Sequence, residues 1–204
     1  MKIFLLFCAI LSILYLISLN FLTNDINAIL EQDLNFSQYT NPKYDFSIKY
    51  PASWDLSEIK SKSMENLVNV EIKSNFDGPQ DMIQEKFVIS INKLPRNLDL
   101  NKYVDEALKQ INSTYQEFKL ISDQFSEKDN IQSRTISYSY LAGIPPISTK
   151  IVMTTEIFSY GDKVYVLSFG TPPNKYYDLL PVMNEIFESF QILNRPQMIY
   201  LYLS

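Results

Sequence analysis

Tyr44-Asp45-Phe46-Ser47-Ile48-Lys49-Tyr50-Pro51-Ala52-Ser53-Trp54-Asp55 is the stretch that decides how this chain folds. Phe46, Ile48 and Tyr50 alternate with Ser47 and Lys49, the period-2 pattern of a strand with one buried face. Pro51 has no N–H to give a ladder, so it ends that strand or confines it to an edge. Just beyond stands Trp54, the only tryptophan of the chain, an apolar plug with one polar handle that can fold back over a sheet. The stretch is a fold signature and carries no catalytic group.

Downstream, Val68, Val70 and Ile72 alternate with Asn69, Glu71 and Lys73 as a half-buried strand. Asp77-Gly78-Pro79 reads as a turn, after which Phe87, Ile89 and Ile91 face inward on a strand closed by Pro95. Leu100, Tyr103, Val104, Ala107, Leu108 and Ile111 recur at helical spacing, with Asp99 as N-cap. Strands are expected over Phe118–Phe125, over Ile131–Leu141 with Ile136, Tyr138 and Tyr140 on one face, and over Thr149–Ser159. Tyr160-Gly161-Asp162-Lys163 is a hairpin turn into a strand from Val164 to Phe169. Tyr177, Leu180, Met183, Phe187 and Phe190 outline a second amphipathic helix, which tolerates Pro181 only near its start or at a kink. Strands, helix, strands, helix without regular alternation is an α+β order, an antiparallel β-sheet flanked by helices.

Upstream, residues 3–22 hold no charged side chain and as a helix would span roughly 30 Å, a bilayer core. Lys2 precedes this run and acidic residues follow it, with no Lys or Arg until Lys43, so the positive-inside rule leaves the amino terminus in the cytoplasm. The sequence thus divides into an N-terminal transmembrane anchor or signal segment (1–22), a polar linker (23–42), a domain (43–194) and an apolar tail (195–204). A signal peptide cleaved near Ala28 is the alternative, and it yields a secreted domain; in both readings the domain is extracytoplasmic. Cys8, the only cysteine, sits inside the apolar run, so the exported part has no disulfide framework. Asn35 and Asn112 match the glycosylation acceptor pattern.

Composition excludes several chemistries. A formal net charge of −5 speaks against nucleic acid as a partner. Histidine is absent, which removes Ser-His and Cys-His nucleophile pairs. With four glycines, Gly78, Gly143, Gly161 and Gly170, neither a Rossmann nor a Walker loop can be assembled. Ser61-Lys62-Ser63 reads as a polar loop. Asp77 and Asp81, either side of a Gly-Pro turn, are weak candidates for a calcium site, since exported carboxylates are hard oxygen ligands, yet Asp residues in turns ordinarily bond the local backbone. The tyrosines Tyr138, Tyr140, Tyr160, Tyr165, Tyr176 and Tyr177 are read either as sheet-face packing or as an interaction patch.

Phe-Ser-Ile-Lys-Tyr-Pro-x-x-Trp resembles the opening of PsbP-like domains, a family that includes an extrinsic photosystem subunit and whose fold is shared by a Ran-binding nuclear import factor family. The resemblance covers residues 40–193. It includes Lys-Leu-Pro-Arg-Asn-Leu (93–98) with Tyr103-Val104, Leu141-Ala142-Gly143-Ile144-Pro145, Val164-Tyr165-Val166-Leu167-Ser168-Phe169 and Ser189-Phe190-Gln191-Ile192. It implies a PsbP-like α/β/α sandwich. It also implies a non-enzymatic accessory or protein-binding subunit of a membrane-associated complex, tethered through residues 3–22 and needing no cofactor. For the photosystem member the resemblance suggests manganese or calcium association, but any histidine-dependent version cannot carry over. A small-ligand or calcium-binding domain, and further behind it a carboxylate-based enzyme, are the alternatives.

Overall fold

The computed structural model describes residues 35–59, 66–76, 78, 81, 83–128, 131–144 and 147–193. Among them the chain runs β1 (Phe36–Asn41), β2 (Phe46–Pro51), β3 (Asp55–Ile59), β4 (Asn66–Lys73), β5 (Lys86–Lys93), α1 (Leu100–Thr114), β6 (Gln116–Lys128), β7 (Ile131–Ile144), β8 (Ile147–Tyr160), β9 (Lys163–Thr171), α2 (Leu180–Glu188) and β10 (Gln191–Ile192). The strands form a seven-stranded sheet of order β3-β4-β5-β9-β8-β7-β6 and a three-stranded sheet of order β1-β2-β10, antiparallel throughout. The expected α+β class is observed. The proposed anchor at 3–22 and the tail at 195–204 lie outside the described residues, and no described helix is long and apolar enough to cross a membrane.

The opening stretch behaves as its residues dictate. Phe46 and Ile48 are fully buried, and Pro51 is the last residue of β2. The Pro51 carbonyl accepts from Trp54 N at 2.9 Å, and the turn so made stacks the Trp54 ring on Phe169, centroids 6.3 Å apart. Two expectations need correction. The linker expected to reach residue 42 gives way to β1 over Phe36–Asn41, which pairs with β2 from Phe36↔Pro51 to Asn41↔Phe46. In addition, β2 belongs to the small sheet, so α2 shares its side of the main sheet with a second sheet. β1 and β3 escaped notice for one reason: both are edge strands with weak alternation, and their pairing partners, not their own periodicity, make them strands.

Capping sets the helices. Asp99 accepts from Lys102 N at 2.9 Å at the start of α1. α2 begins at Leu180 with Pro181 inside its first turn, where the missing N–H costs nothing. Gly161, at φ +63, opens the two-residue turn between β8 and β9 that pairs Tyr160 with Lys163.

The main sheet is apolar on opposite faces in its two halves. One face carries the rows Ile72-Phe87-Phe169 and Val70-Ile89-Leu167 across β4, β5 and β9. These pack with Phe46, Ile48, Met183, Ile186 and Ile192 into one core. Continued across β8, β7 and β6 on the same face, the rows turn polar: Thr154-Ser137-Ser122 and Glu156-Thr135-Gln124. The other face reverses the order. Val164, Ile157, Ile136 and Tyr138 lie beneath Leu100 and Val104 of α1 in a second core, while Ser90, Asn92 and Ser168 occupy the β5–β9 side. Each fully buried aliphatic or aromatic side chain contributes roughly 1.5–3 kcal/mol, so this diagonal pattern fixes which half of each face is covered.

Arg134 interrupts the α1-facing core and is 6 % exposed. Its guanidinium donates to both oxygens of Asp123 on β6 at 2.8 and 2.7 Å, to Asp105 Oδ1 of α1 at 2.7 Å and to the Asn101 carbonyl at 3.3 Å, and it lies 4.9 Å from the Phe125 ring centroid. One cation thereby ties β6, β7 and α1. The hydrogen bonds from Arg134 hold the Asp123 carboxyl below the usual carboxylate range against the opposing effect of burial. A depressed carboxyl contributes stability that is full above its unfolded pKa of about 4 and is lost as pH falls through the folded value. Arg134→Met is therefore expected to destabilise the domain by about 2 kcal/mol at pH 7 and to flatten the loss of stability below about pH 4. Urea denaturation at a series of pH values measures both; an unchanged acid slope contradicts the assignment.

Candidate functional site

Where the apolar half of the α2-side face meets its polar half, the cover stops and a cleft of about 530 Å³ remains. Phe158 of β8 and Leu167 of β9 form its floor, with Ile131 and Ser133 of β7 and Glu156 of β8 on the uncovered side. Phe187, Glu188, Phe190, Gln191 and Ile192, from the end of α2 into β10, form the opposite wall. Phe190 is wedged against the floor, its centroid 5.5 Å from Phe158 edge-on and 5.9 Å from Tyr165. Burial, with Asp45 and other acidic neighbours adding to it, pushes the Tyr165 phenol up to about 12, so this end of the core holds a neutral hydroxyl. The cleft therefore combines an aromatic base with two carboxylates at its rim.

The hydroxyls beside the cleft bond one another. Ser126 and Ser133 Oγ lie 2.6 Å apart, Ser137 Oγ and Thr154 Oγ1 3.2 Å apart, and Thr154 Oγ1 and the Tyr176 hydroxyl 3.2 Å apart. A nucleophile needs a base at this distance, and Ser133 has a second hydroxyl there. General-acid work asks for a carboxyl raised in pKa. The two described carboxyls with displaced values, Glu71 and Asp123, are instead held low by cations.

Of the candidate calcium ligands, Asp77 lies outside the described residues. Asp81 Oδ2 accepts from Lys175 Nζ at 2.8 Å, and the same ammonium stands 3.1 Å from Glu85 Oε1. Glu85 is 2 % exposed; its Oε2 accepts from Ser74 Oγ at 2.5 Å, while Oε1 takes no hydrogen bond and is compensated by the charge of Lys175. The buried Glu85 and the partly buried Asp81 thus converge on one ammonium, which ties the loop before β5 to the loop before α2. Lys175→Met is expected to cost about 3 kcal/mol at pH 7, because it removes the cation that stands against the buried Glu85 carboxylate. Thermal melts with calcium and with chelator check the assignment: a calcium-dependent rise in the wild-type melting temperature contradicts it.

The six tyrosines do not make one patch. Tyr138 and Tyr140 pack under α1, Tyr165 and Tyr160 in the opposite core, and Tyr176 bonds Thr154. Tyr177, 78 % exposed, is the outlying member. Sequence reading did not single out Glu156 or Glu188, and it placed Phe190 on the second helix, which ends at Glu188. The available signal was the run Ser133, Thr135, Ser137, Ser139 alternating with Arg134, Ile136, Tyr138 and Tyr140, which marks one polar face.

No family model matches the sequence, and no curated protein matches it. Solved structures do. Cyanobacterial PsbP (CyanoP) from Synechocystis superposes with a TM-score of 0.55 at 15 % identity, over 78 % of this chain and 93 % of that one. The Ran-binding protein Mog1p of Saccharomyces cerevisiae gives 0.52 at 11 % identity, over 79 % and 97 %. LpqN of Mycobacterium tuberculosis, involved in cell envelope biogenesis, gives 0.51 at 16 % identity, over 80 % and 94 %. The chain shares the fold of the PsbP-like and Mog1 proteins.

Proposed function

We propose that this chain is a membrane-tethered, extracytoplasmic PsbP-fold module that binds a protein partner as a non-enzymatic accessory subunit, with residues 3–22 as its anchor. The observation that carries the reading is the cleft: a floor of Phe158 and Leu167 with Phe190 against it, two rim carboxylates in Glu156 and Glu188, and hydroxyls bonded to hydroxyls. Such a groove accepts an apolar side chain with a cation beside it, as a protein segment bearing Lys or Arg supplies. Neighbours of the same fold support it, since Mog1p is a Ran-binding protein and LpqN takes part in cell envelope biogenesis. The second reading is capture of a small solute, because about 530 Å³ falls within the range of ligand sites.

In-cell cross-linking and affinity capture of the full-length protein from solubilised membranes test the proposal. A reproducible partner, cross-linked to the domain and reduced about tenfold by Glu188→Lys, is the expected result. Recovery of the chain alone, or a partner indifferent to both Glu188→Lys and Glu156→Lys, overturns it.

A further inference from the structure

We infer that the cleft receives its partner as an added β-strand, an extended segment that pairs with the outer edge of β10 and carries an aliphatic residue two places from a Lys or Arg; this rests on the reading of the cleft as a protein-binding site. In the small sheet of order β1-β2-β10, β10 is a marginal strand, and its residues Gln191 and Ile192 line the cleft. β10 pairs with β2 as Gln191↔Ser47 and Ile192↔Phe46, and in the same register the Leu193 N–H donates to the Asp45 carbonyl at 2.8 Å. Hydrogen-bonded and non-hydrogen-bonded pairs alternate along an antiparallel ladder. With Leu193 and Asp45 bonded, Gln191 and Ser47 are bonded as well, and Ile192 falls in the non-bonded pair. Its N–H and C=O therefore point away from β2, and no described backbone group bonds them there.

A strand laid along that edge extends the cover over the main sheet. The Ile192 side chain is 6 % exposed and belongs to the core between the two sheets. Directly opposed residues of neighbouring strands share a face, so the incoming residue beside Ile192 turns toward the main sheet, where Phe158 and Leu167 form the cleft floor. An aliphatic side chain there takes apolar surface out of water. The residue two places along faces the same way, and those between face away from the main sheet. Glu156 stands two residues from Phe158 on the same face of β8, and Glu188 ends α2 at the rim. A Lys or Arg two places from the aliphatic residue spans to these carboxylates with its long stem along the apolar floor. The longer edge strand β6 exposes Leu120, Ile121 and Phe125. Register shifts between Gln116 and Lys119 and between Leu120 and Ser122 break its ladder, the form in which edges are guarded against pairing.

Full-length protein in nanodiscs, titrated with the blocked peptide acetyl-Thr-Val-Thr-Arg-Thr-Val-Thr-amide, tests the added strand. Hydrogen exchange of the Ile192 amide, read by NMR, is expected to slow roughly tenfold at saturation. N-methylation of one alternate set of peptide amides should abolish binding, while methylation of the other set should leave it within about twofold, because only every second residue of a strand bonds a given neighbour. Ile192→Pro removes the outward N–H without removing a bond to β2 and should weaken the peptide about tenfold; the methylated peptides carry the test where that variant folds poorly. Four results each overturn strand addition: an Ile192 amide already protected in the protein alone, no binding up to about 1 mM, equal loss with both methylated sets, or protection on β6 in place of β10. A captured partner released by Glu188→Lys alongside any of these leaves the accessory reading standing, whereas recovery of the chain alone removes both.

Discussion

Burial of β9 on both faces is the constraint on which the rest of the structure depends. Val164 faces α1, while Tyr165, Leu167 and Phe169 face α2 and the small sheet, and all four are essentially inaccessible. A strand with two apolar faces needs two covers. One helix cannot cover a seven-stranded sheet, so the covers are staggered: α1 over the β6–β8 side of one face, α2 with β1-β2-β10 over the β4–β9 side of the other. Polar rows then fall wherever no cover reaches. The cleft is the seam this arrangement leaves, bounded below by the last apolar residues of β8 and β9 and laterally by the end of α2.

Ionic groups serve the same division. Arg134 closes the outer margin of the α1 core with two carboxylates from β6 and α1, and Lys175 joins the loops at the far end of the other core to Asp81 and Glu85. Both replace what a longer apolar contact would do, at sites where loops and edge strands cannot supply one. Buried or half-buried cations with two carboxylate partners add little net stability over apolar packing, but removing the cation costs the charge compensation it gives. They therefore specify geometry more than they strengthen it.

The same physics decides what could be read from the residues. β2, β4, β5, α1, β7 and α2 carry strong periodicity because each packs one face on a core, β8 and β9 carry apolar residues on both faces, and all were legible, as were the Asp99 cap and the position of Pro181. β1, β3 and β10 owe their existence to partners, and β10 is a two-residue strand, too short for any period. The cleft is still less legible, because Glu156, Phe158 and Phe190 acquire their relation from strand order β5-β9-β8-β7, which joins residues far apart in the chain. Asp81 was visible as a carboxylate in a turn, but its occupation by Lys175, 94 residues away, was not.

Uneven cover is also what the proposed binding role rests on. A catalytic centre needs groups of unlike proton affinity brought together in a dry pocket. Here the groups at the seam are hydroxyls that bond one another and carboxylates at an open rim. The aromatic floor belongs to the core itself, with Phe158 stacked on Tyr165 at 5.2 Å, so whatever enters the seam adds to a surface already rigid. A rigid apolar base loses little entropy on binding and lets a short segment with a few anchor side chains gain affinity. The fold thus supplies a preformed groove, and the identity of its occupant is left to the sequences that can reach it.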